Sequence, residues 1–279
     1  MNFFDLHCDT AYKMFVENQD YFKNNLAVSG EKGEIFENWH QTFAVWVPED
    51  IENPFNFYKA VLNNLKNKLK GNVNPVFAVE GGTVLEGKIE NLYKLKSDNI
   101  KFLTLTWNGE NAIAGGVKSD KGLTDFGKAV IKEMNALNMA VDLSHLNEKS
   151  FYNAIETAEK PLATHSNCKE IFNVPRNLSD EQIKLIIEKK GIIGLNFYPQ
   201  FLGDNFYDAV YENILHLCDL GCENNIAIGS DFDGADMPNE MCDIAKIPTL
   251  YAVLKQKGLQ DDLLQKIFYI NAYNFYLNL

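Results

Sequence analysis

The segment FFDLHCDT (residues 3–10) places His7 and Asp9 two positions apart, directly after apolar residues. Alternate residues of a β-strand point to the same face of a sheet, so the sequence predicts that these two side chains share a face. An imidazole and a carboxylate together suit zinc and similar divalent ions. Such a pair also arises by chance, or as a His satisfied by a neighbouring Asp. Further ligands are needed to favour a metal site.

Four other apolar runs also end in residues that could bind metal or transfer protons. Glu80 ends FAVE, His145 follows AVDLS, and His165 follows PLAT. Asp231 follows IAIGS, where a carboxylate could accept a proton from water and pass it to a leaving amine. A catalytic zinc typically uses about three protein ligands, so this larger set suits two ions that share the carboxylate of Glu80. The candidate ligands are His7, Asp9, Glu80, His145 and His165.

Ordinary structural roles compete with these assignments. Glu80 could be a carboxylate at the start of a helix, and the two glycines after it would also let the backbone turn sharply around a metal. His145 and His165 could be core residues hydrogen-bonded to the backbone. Asp233 precedes a glycine and is predicted to be a turn residue, while His216 lies inside a helical pattern and is not expected to be a ligand. The joint occurrence of the five ligands favours the metal site.

Arg176 stands in the segment NVPRNLSD of a chain that is otherwise rich in Lys. A guanidinium can form two parallel hydrogen bonds to a carboxylate, so Arg176 is a candidate for binding a carboxylate of the substrate. The alternative is a surface ion pair, which would contribute little to stability.

The elements that must position these residues follow from hydrophobic periodicity. Eight short apolar runs recur at steady intervals, as expected of buried parallel strands. They cover residues 2–8, 41–47, 75–81, 101–107, 139–145, 161–167, 191–197 and 225–231. Segments with a helical period separate them, the clearest at 56–71, 124–138, 178–191 and 206–221. The pattern predicts one (β/α)8 barrel domain over residues 1–279, with its site where the strands end; an open doubly wound sheet is the alternative.

The composition describes a globular protein with a large core, since 46% of its 279 residues are hydrophobic and 23% are charged. The net charge of -12 disfavours nucleic acid and anionic membranes as partners. No apolar stretch is long enough to span a bilayer, and no signal peptide is recognisable. The 5 cysteines form no CxxC pair, which is typical of reduced thiols. A cytoplasmic protein is expected.

Taken together, the motifs resemble the renal, or membrane, dipeptidase family of zinc peptidases, within the amidohydrolase-like metal-dependent barrels. The resemblance runs nearly from end to end of the chain, and the combination of motifs is highly specific. The motifs are DLHCDT, FAVEGG, FLTLTWNGEN, GLTDFGKAVIKEMNALNMAVDLSHLNEKSF, ATHSN, VPRNLSDEQ, GLNFYPQFL and IGSDFDG.

The resemblance implies a binuclear zinc site. His7 and Asp9 would bind one zinc ion. His145 and His165 would bind the other, and Glu80 would bridge the two ions. A water or hydroxide between the metals would be the nucleophile.

The resemblance also implies a reaction, the hydrolysis of dipeptides, often with tolerance for a D-residue at the C-terminal position. Asp231 falls on the acid/base residue of the family, and Arg176 falls on the residue that holds the C-terminal carboxylate of the dipeptide. Members of the family often form dimers, so a homodimer is left open, although the sequence shows no interface pattern.

One position departs from the family pattern. The mammalian enzymes carry a His after LTLT, whereas this chain has Trp107. Trp cannot bind a metal, but its indole N–H can donate a hydrogen bond, and Asn108 and Asn111 are nearby alternatives. We expect Trp107 and Asn108 to contact the substrate. The mammalian proteins also carry secretion and lipid-anchor signals that are not visible here.

Two other functions are compatible with the same residues. Another metal-dependent hydrolase, such as an N-acyl amino acid deacylase, a lactonase or a phosphoester hydrolase, could use this ligand set, because a fold does not determine its substrate. A barrel that binds metal or a partner without catalysis is the third hypothesis, and the complete ligand set with Asp231 argues against it. A substrate panel and a metal analysis distinguish the three.

Overall fold

The computed structural model describes residues 1–279, and its strands form a closed parallel barrel in which each strand pairs with the next one in the chain. The strands are β1 (Phe3–Asp5), β2 (Trp39–Trp46), β3 (Val73–Glu80), β4 (Ile100–Thr104), β5 (Ala140–Asp142), β6 (Pro161–Ala163), β7 (Ile192–Leu195) and β8 (Ile226–Ile228). Strand β1 pairs with β8 through Asp5 and Ile228, which closes the circle. The predicted (β/α)8 barrel is therefore confirmed, and the open doubly wound sheet is excluded.

Helices connect the strands. They are α1 (Thr10–Val16), α2 (Gly30–Gly33), α3 (Pro54–Lys68), α4 (Ile89–Ser97), α5 (Asp125–Ala136), α6 (Glu148–Thr157), α7 (Asp180–Glu188), α8 (Pro199–Leu202), α9 (Phe206–Asp219), α10 (Ile247–Gln256), α11 (Asp261–Gln265) and α12 (Asn271–Tyr276). Short 3-10 helices cover Gly82–Leu85, Asn239–Met241 and Ile244–Lys246, and a π-helical turn covers Lys266–Ile270. No helix combines the length and the apolarity that crossing a bilayer requires.

The four segments with the clearest helical pattern are all helices. Helix α7 begins at Asp180, and Ser179 before it forms a capping box: its side chain accepts from the backbone N–H of Gln182, and the Gln182 side chain accepts from the backbone N–H of Ser179. The segment predicted at 56–71 ends earlier than expected. Its helix stops at Lys68 because the next residue, Leu69, already leaves the helical conformation.

Alternating side chains fill the interior of the barrel and become polar towards the carboxyl ends of the strands. The apolar layer comprises Phe4, Leu6, Ala44, Val76, Ala78, Phe102, Ala140, Leu162, Ile192, Ala227 and Ala272. Glu80 continues the row of Val76 and Ala78 on β3, because every second residue of a strand shares a face. Thr104 and Asp142 continue β4 and β5 in the same way. A polar layer therefore lies at this end of the interior.

Candidate metal centre and active site

Six side chains from five strand ends converge at the polar end of the barrel. They are His7, Asp9, Glu80, His145, His165 and Asp231. None is more than 8% exposed. The convergence follows from the topology, because the carboxyl ends of all the parallel strands meet at one mouth of a closed barrel. The structure thus brings together every residue that the sequence suggested as a metal ligand or proton acceptor.

The carboxylate of Glu80 lies between two sets of imidazoles. Its Oε1 atom is 2.8 Å from Nε2 of His145 and 3.5 Å from Nε2 of His165. Its Oε2 atom is 3.7 Å from Nε2 of His7. The two oxygens therefore face different nitrogen atoms, as the oxygens of a bridging carboxylate must.

His7 and Asp9 meet, although not for the predicted reason. Strand β1 ends at Asp5, and Asp9 is the residue that precedes α1, so the pair does not share a strand face. The turn between strand and helix instead brings Oδ2 of Asp9 to 3.4 Å from Nε2 of His7. The other oxygen of Asp9 is buried without a hydrogen-bond partner. A buried carboxylate oxygen without a donor is destabilising, and a cation would satisfy it.

The rings of His145 and His165 point their Nε2 atoms at each other, 2.9 Å apart. Nδ1 of His145 lies 2.9 Å from Oδ1 of Asn108, an acceptor, so Nδ1 carries the proton of this ring. Nδ1 of His165 lies 2.7 Å from Oγ1 of Thr164, whose own proton goes to a buried carboxylate. Both Nε2 atoms therefore present lone pairs, beside Oε1 of Glu80. Two converging nitrogen lone pairs beside a carboxyl oxygen fit a bound metal ion.

The surroundings also set the protonation of the imidazoles. Burial, reinforced by nearby positive charges, holds the pKa of His145 and of His165 well below its usual value, so both rings are neutral. Burial also lowers the pKa of His7, but the carboxylates of Glu80 and Asp9 outweigh it and raise that pKa to about 10. A proton on His7 thus compensates the carboxylates around it, and a cation would take its place.

Asp231 belongs to the same cluster. Its carboxylate, that of Asp9 and the ring of His7 have ligand atoms within 4.8 Å of one another. Its Oδ2 accepts a hydrogen bond of 3.0 Å from Nδ2 of Asn196. Its φ of 65° is rare for a non-glycine residue and is a form of strain common at functional sites. Burial raises its pKa to about 6, although the charge of His7 opposes the shift, so the group can accept and donate a proton near neutral pH.

Two glycines let the backbone pass close to these side chains. Gly81, directly after Glu80, has a φ of 102°, which L-residues rarely adopt, so the sharp turn expected here is present. A Cβ atom at Gly234 would collide with the carboxylates of Asp9 and Asp231. Gly81 is thus required by its conformation and Gly234 by the closeness of its neighbours.

Arg176 is the only arginine in the sequence, and it is 5% exposed. Its Nη1 atom donates to Oγ of Ser166 at 3.0 Å, and its Nη2 atom donates to the backbone oxygen of His165 at 3.1 Å. This burial excludes the surface ion pair. A cavity of about 110 Å³ lies beside it, with His145 and Lys169 also in its lining. A guanidinium has five N–H donors, so donors remain for a carboxylate in this cavity.

Trp107 lies beside a second tryptophan that the sequence did not suggest. Its ring packs edge-on against Trp46, with 5.2 Å between centroids, and its centroid lies 6.5 Å from that of His145. Trp46 is the last residue of β2 and stands in register with Glu80. The two indoles therefore lie beside the candidate metal centre, within reach of a substrate bound there.

The two asparagines after Trp107 are engaged within the protein. Asn108 was expected to contact the substrate. Its Oδ1 atom contacts Nδ1 of His145 and so orients that ring. Asn111 donates to the backbone oxygen of Leu105 at 2.8 Å and accepts from the backbone N–H of Ile113 at 2.7 Å. Asn111 therefore shapes its own loop and is no alternative to Trp107.

Three further polar residues, Asp233, His216 and His40, are not candidate metal ligands. Asp233 has the predicted turn conformation, with a φ of 66°, and its carboxylate also accepts from the backbone N–H of Ala27 at 2.7 Å. His216 lies on α9 as predicted and pairs with Asp180 at 2.7 Å. His40 lies at the start of β2, with its ring beside that of Tyr273, and takes no part in the site.

Sequence reasoning missed several residues that support the site, namely Trp46, Asp142, Thr164 and Asn196. A signal existed for Asp142 and Thr164, because each is a polar residue inside an apolar run and a buried polar group needs a partner. Trp46 and Asn196 gave no such signal, since their contacts depend on how the strand ends and loops fold.

The arrangement can be compared with known proteins. The model of the membrane dipeptidase family (peptidase family M19) matches residues 43–275. An uncharacterised protein of Klebsiella pneumoniae is 33% identical over 69% of this chain and 77% of its own length. A protein of Schizosaccharomyces pombe described as an uncharacterised dipeptidase is 31% identical over 68% of this chain and 49% of its own length. The chain belongs to the membrane dipeptidase family, a family of metallopeptidases.

A solved structure shares the fold. It is a metallopeptidase of Rhodobacter sphaeroides in complex with a phosphinate mimic of the dipeptide L-Ala-D-Ala. Its TM-score is 0.91 at 22% identity, over 100% of this chain and 99% of that chain. The family confirms the predicted enzyme class, a metallo-dipeptidase. This chain spans about half the length of the Schizosaccharomyces pombe relative.

Proposed function

We propose that this protein is a zinc-dependent dipeptidase with two metal ions. The observation that carries the proposal is the position of Glu80, whose Oε1 faces His145 and His165 while its Oε2 faces His7. Imidazole nitrogen and carboxylate oxygen are the donors that zinc accepts at catalytic sites. The family supports the dipeptidase reaction, and the L-Ala-D-Ala mimic bound to the Rhodobacter protein supports dipeptides as the substrate class.

The proposed ligands fall on two sides of Glu80. His7 and Asp9 would hold one ion, His145 and His165 would hold the other, and Glu80 would contribute to both. When bound, the ions would act as Lewis acids on the scissile carbonyl and on the attacking water. His145 and His165 are already neutral, as ligation requires, whereas His7 must first release its proton.

Asp231 is the proposed acid/base residue. In its ionised form it accepts a proton from the attacking water, and in its protonated form it returns that proton to the leaving amine. The hydrogen bond from Asn196, 3.0 Å long, holds the carboxylate in place. A pKa of about 6 supports both halves of this cycle near neutral pH.

Arg176 and Trp107 are the proposed substrate-binding residues. The guanidinium of Arg176 binds the C-terminal carboxylate of the dipeptide. The adjoining cavity of about 110 Å³ has room for a small group, which is consistent with a short substrate. Trp107 donates its indole N–H to the oxyanion that forms from the scissile carbonyl, and its contact with Trp46 supports a fixed ring orientation.

The proposed enzyme is a single catalytic domain that acts in the cytoplasm on a small-molecule substrate. Residues 1–279 act as one catalytic domain, because pairing of β1 with β8 joins the two halves of the chain in one barrel. All cysteines are free, which supports a reducing, cytoplasmic location. The net charge of -12 supports a small-molecule substrate rather than nucleic acid or anionic lipid.

Hydrolysis of L-Ala-L-Ala, L-Ala-D-Ala and L-Ala-Gly by the purified protein tests the proposal, with an N-acyl amino acid, a lactone and a phosphoester as competing substrates. We expect cleavage of dipeptides that is lost on chelation and restored by zinc. Cleavage of only a competing substrate by the metal-loaded protein would overturn the dipeptidase activity. A protein that binds no metal when zinc is supplied would overturn the metal site.

A further inference from the structure

A buried polar network lies next to the candidate metal centre and joins the ends of β4, β5 and β6. At its centre is Asp142, which is fully buried. Its Oδ1 atom accepts from the backbone N–H groups of Ser144 and Thr164, each at 3.0 Å. Its Oδ2 atom accepts from the hydroxyl groups of Thr104 at 2.6 Å and Thr164 at 2.7 Å. These four bonds replace the water that the carboxylate loses on burial.

Of the two hydroxyl groups on Asp142, only that of Thr164 reaches an imidazole. Its Oγ1 atom is 2.7 Å from Nδ1 of His165 and, at the outer limit of a hydrogen bond, 3.5 Å from Nδ1 of His7. A hydroxyl has one proton, and because Thr164 donates it to Asp142, its oxygen accepts the Nδ1 proton of His165. Thr104 makes an equivalent bond to the same carboxylate oxygen but has no hydrogen bond to a candidate ligand.

The hydrogen bonds that run from Asp142 through Thr164 to His165, here called the relay, determine the tautomer and the orientation of the His165 ring. With its proton held on Nδ1, the ring directs the lone pair of Nε2 towards Glu80, 3.5 Å away. A carboxylate behind a ligating imidazole also makes the imidazole more basic. The ring of His145 is held in a similar way by Asn108, which accepts its Nδ1 proton. This hydrogen bond is weaker, because the amide of Asn108 is neutral and no carboxylate stands behind it.

We propose that Asp142 and Thr164 are positioning residues that hold His165 in the tautomer and orientation that metal binding requires. The inference rests on the proposed function, since it assumes that His165 is a metal ligand. Neither residue touches the substrate. Their contribution is therefore to the affinity for the ion on the His145 and His165 side of Glu80.

The test uses three variants of the full-length protein. Thr164→Val removes the hydroxyl at nearly constant shape, and Thr164→Ser keeps it. Thr104→Val is the matched control, because it removes an equivalent bond to Asp142 and leaves the link to His165 intact. Zinc affinity is measured by competition with a chromogenic chelator, bound zinc by elemental analysis, and the Tm of the metal-free protein by circular dichroism.

We expect Thr164→Val to weaken the binding of one zinc ion by roughly 10–100-fold. Thr164→Ser should restore the affinity, and Thr104→Val should bind zinc as the wild type does. Both valine variants should lower the Tm of the metal-free protein, because each loses a hydroxyl bond to Asp142. A loss of zinc affinity in Thr164→Val but not in Thr104→Val would therefore show that Thr164 positions His165 and does more than stabilise the fold.

Two results would overturn the positioning role: unchanged zinc affinity in Thr164→Val, or an equal loss of affinity in Thr104→Val. Should Thr164→Val fail to fold, Asp142→Asn tests the relay from its other end, and unchanged affinity there has the same meaning. A wild-type protein that binds no zinc would instead overturn the proposed function, so the two failures are distinguishable.

Discussion

His145 and His165 face each other with their Nε2 atoms 2.9 Å apart. Both rings are neutral, because burial holds their pKa well below the usual value, and each has its proton on Nδ1. Two lone pairs at this distance repel each other, and Oε1 of Glu80 lies 2.8 Å from Nε2 of His145. A cation between them turns this repulsion into ligation, which is the physical basis of the metal centre.

The proposed bridging role of Glu80 predicts that Glu80→Gln loses metal. An amide has one oxygen and no charge, so it cannot serve ions on both sides. We expect the zinc content to fall from two ions per chain to one or fewer, and dipeptide hydrolysis to fall by roughly two orders of magnitude or more. Elemental analysis and a hydrolysis assay measure both. Glu156→Gln, on the exposed side of α6, is the control and should change neither. Full zinc content in Glu80→Gln would exclude a bridge.

The proposed acid/base role of Asp231 predicts a dependence of activity on pH. Its pKa is raised to about 6 by burial, and it must be ionised to accept a proton. As the pH falls through the pKa of Asp231 the ionised fraction decreases, so kcat/KM should decline on the acid side, at or below about pH 6. Bound cations favour the carboxylate and shift the decline to lower pH.

The variant Asp231→Asn tests the same role, since Asn tolerates the left-handed backbone of this position. We expect kcat to fall by roughly 10²–10⁴-fold and the acid limb of the pH profile to disappear. Asp219→Asn, an exposed position on α9, should behave as the wild type. An acid limb that persists unchanged in Asp231→Asn would assign the proton transfer to another group.

The proposed role of Arg176 in binding the substrate carboxylate predicts that Arg176→Lys raises KM for dipeptides by roughly 10–100-fold, which corresponds to one charge-assisted hydrogen bond. Lys keeps the charge but not the planar fork. A dipeptide amide lacks the carboxylate and serves as the matched substrate, so the variant should treat it much as the wild type does. The Tm must be measured too, because Arg176 also bonds Ser166. Equal losses on both substrates would mean a structural role only.

The proposed role of Trp107 as a hydrogen-bond donor to the oxyanion predicts that Trp107→Phe lowers kcat by roughly 10²-fold, because the ring remains but the N–H donor is lost. KM should change little, since the aromatic contact with Trp46 is retained. Steady-state kinetics on L-Ala-D-Ala separate the two constants. An unchanged kcat would mean that Trp107 lines the site but donates no hydrogen bond to the oxyanion.

The barrel and the convergence of its ligands could be predicted from the sequence because both depend on periodicity. Apolar runs mark the strands, and closure of a parallel barrel brings their carboxyl ends to one mouth. Glu80 is the clearest example: it continues the inward row of Val76 and Ala78, so its direction is set by the alternation of β3.

The contacts made by loops and turns could not be predicted in this way. His7 and Asp9 meet through the turn that follows Asp5, not through a shared strand face. Asn108 lies in a loop whose path brings its amide oxygen to Nδ1 of His145, a contact that the sequence did not suggest. These positions depend on non-local packing, which periodicity does not describe.

Anomalous diffraction at the zinc edge, from crystals of the active protein grown with zinc, tests the central claim most directly. The account predicts two peaks per chain. One lies beside Nε2 of His7 and Oδ2 of Asp9, the other between Nε2 of His145 and Nε2 of His165, and the carboxylate of Glu80 stands between them. A single peak, or none, in protein that hydrolyses dipeptides would contradict it.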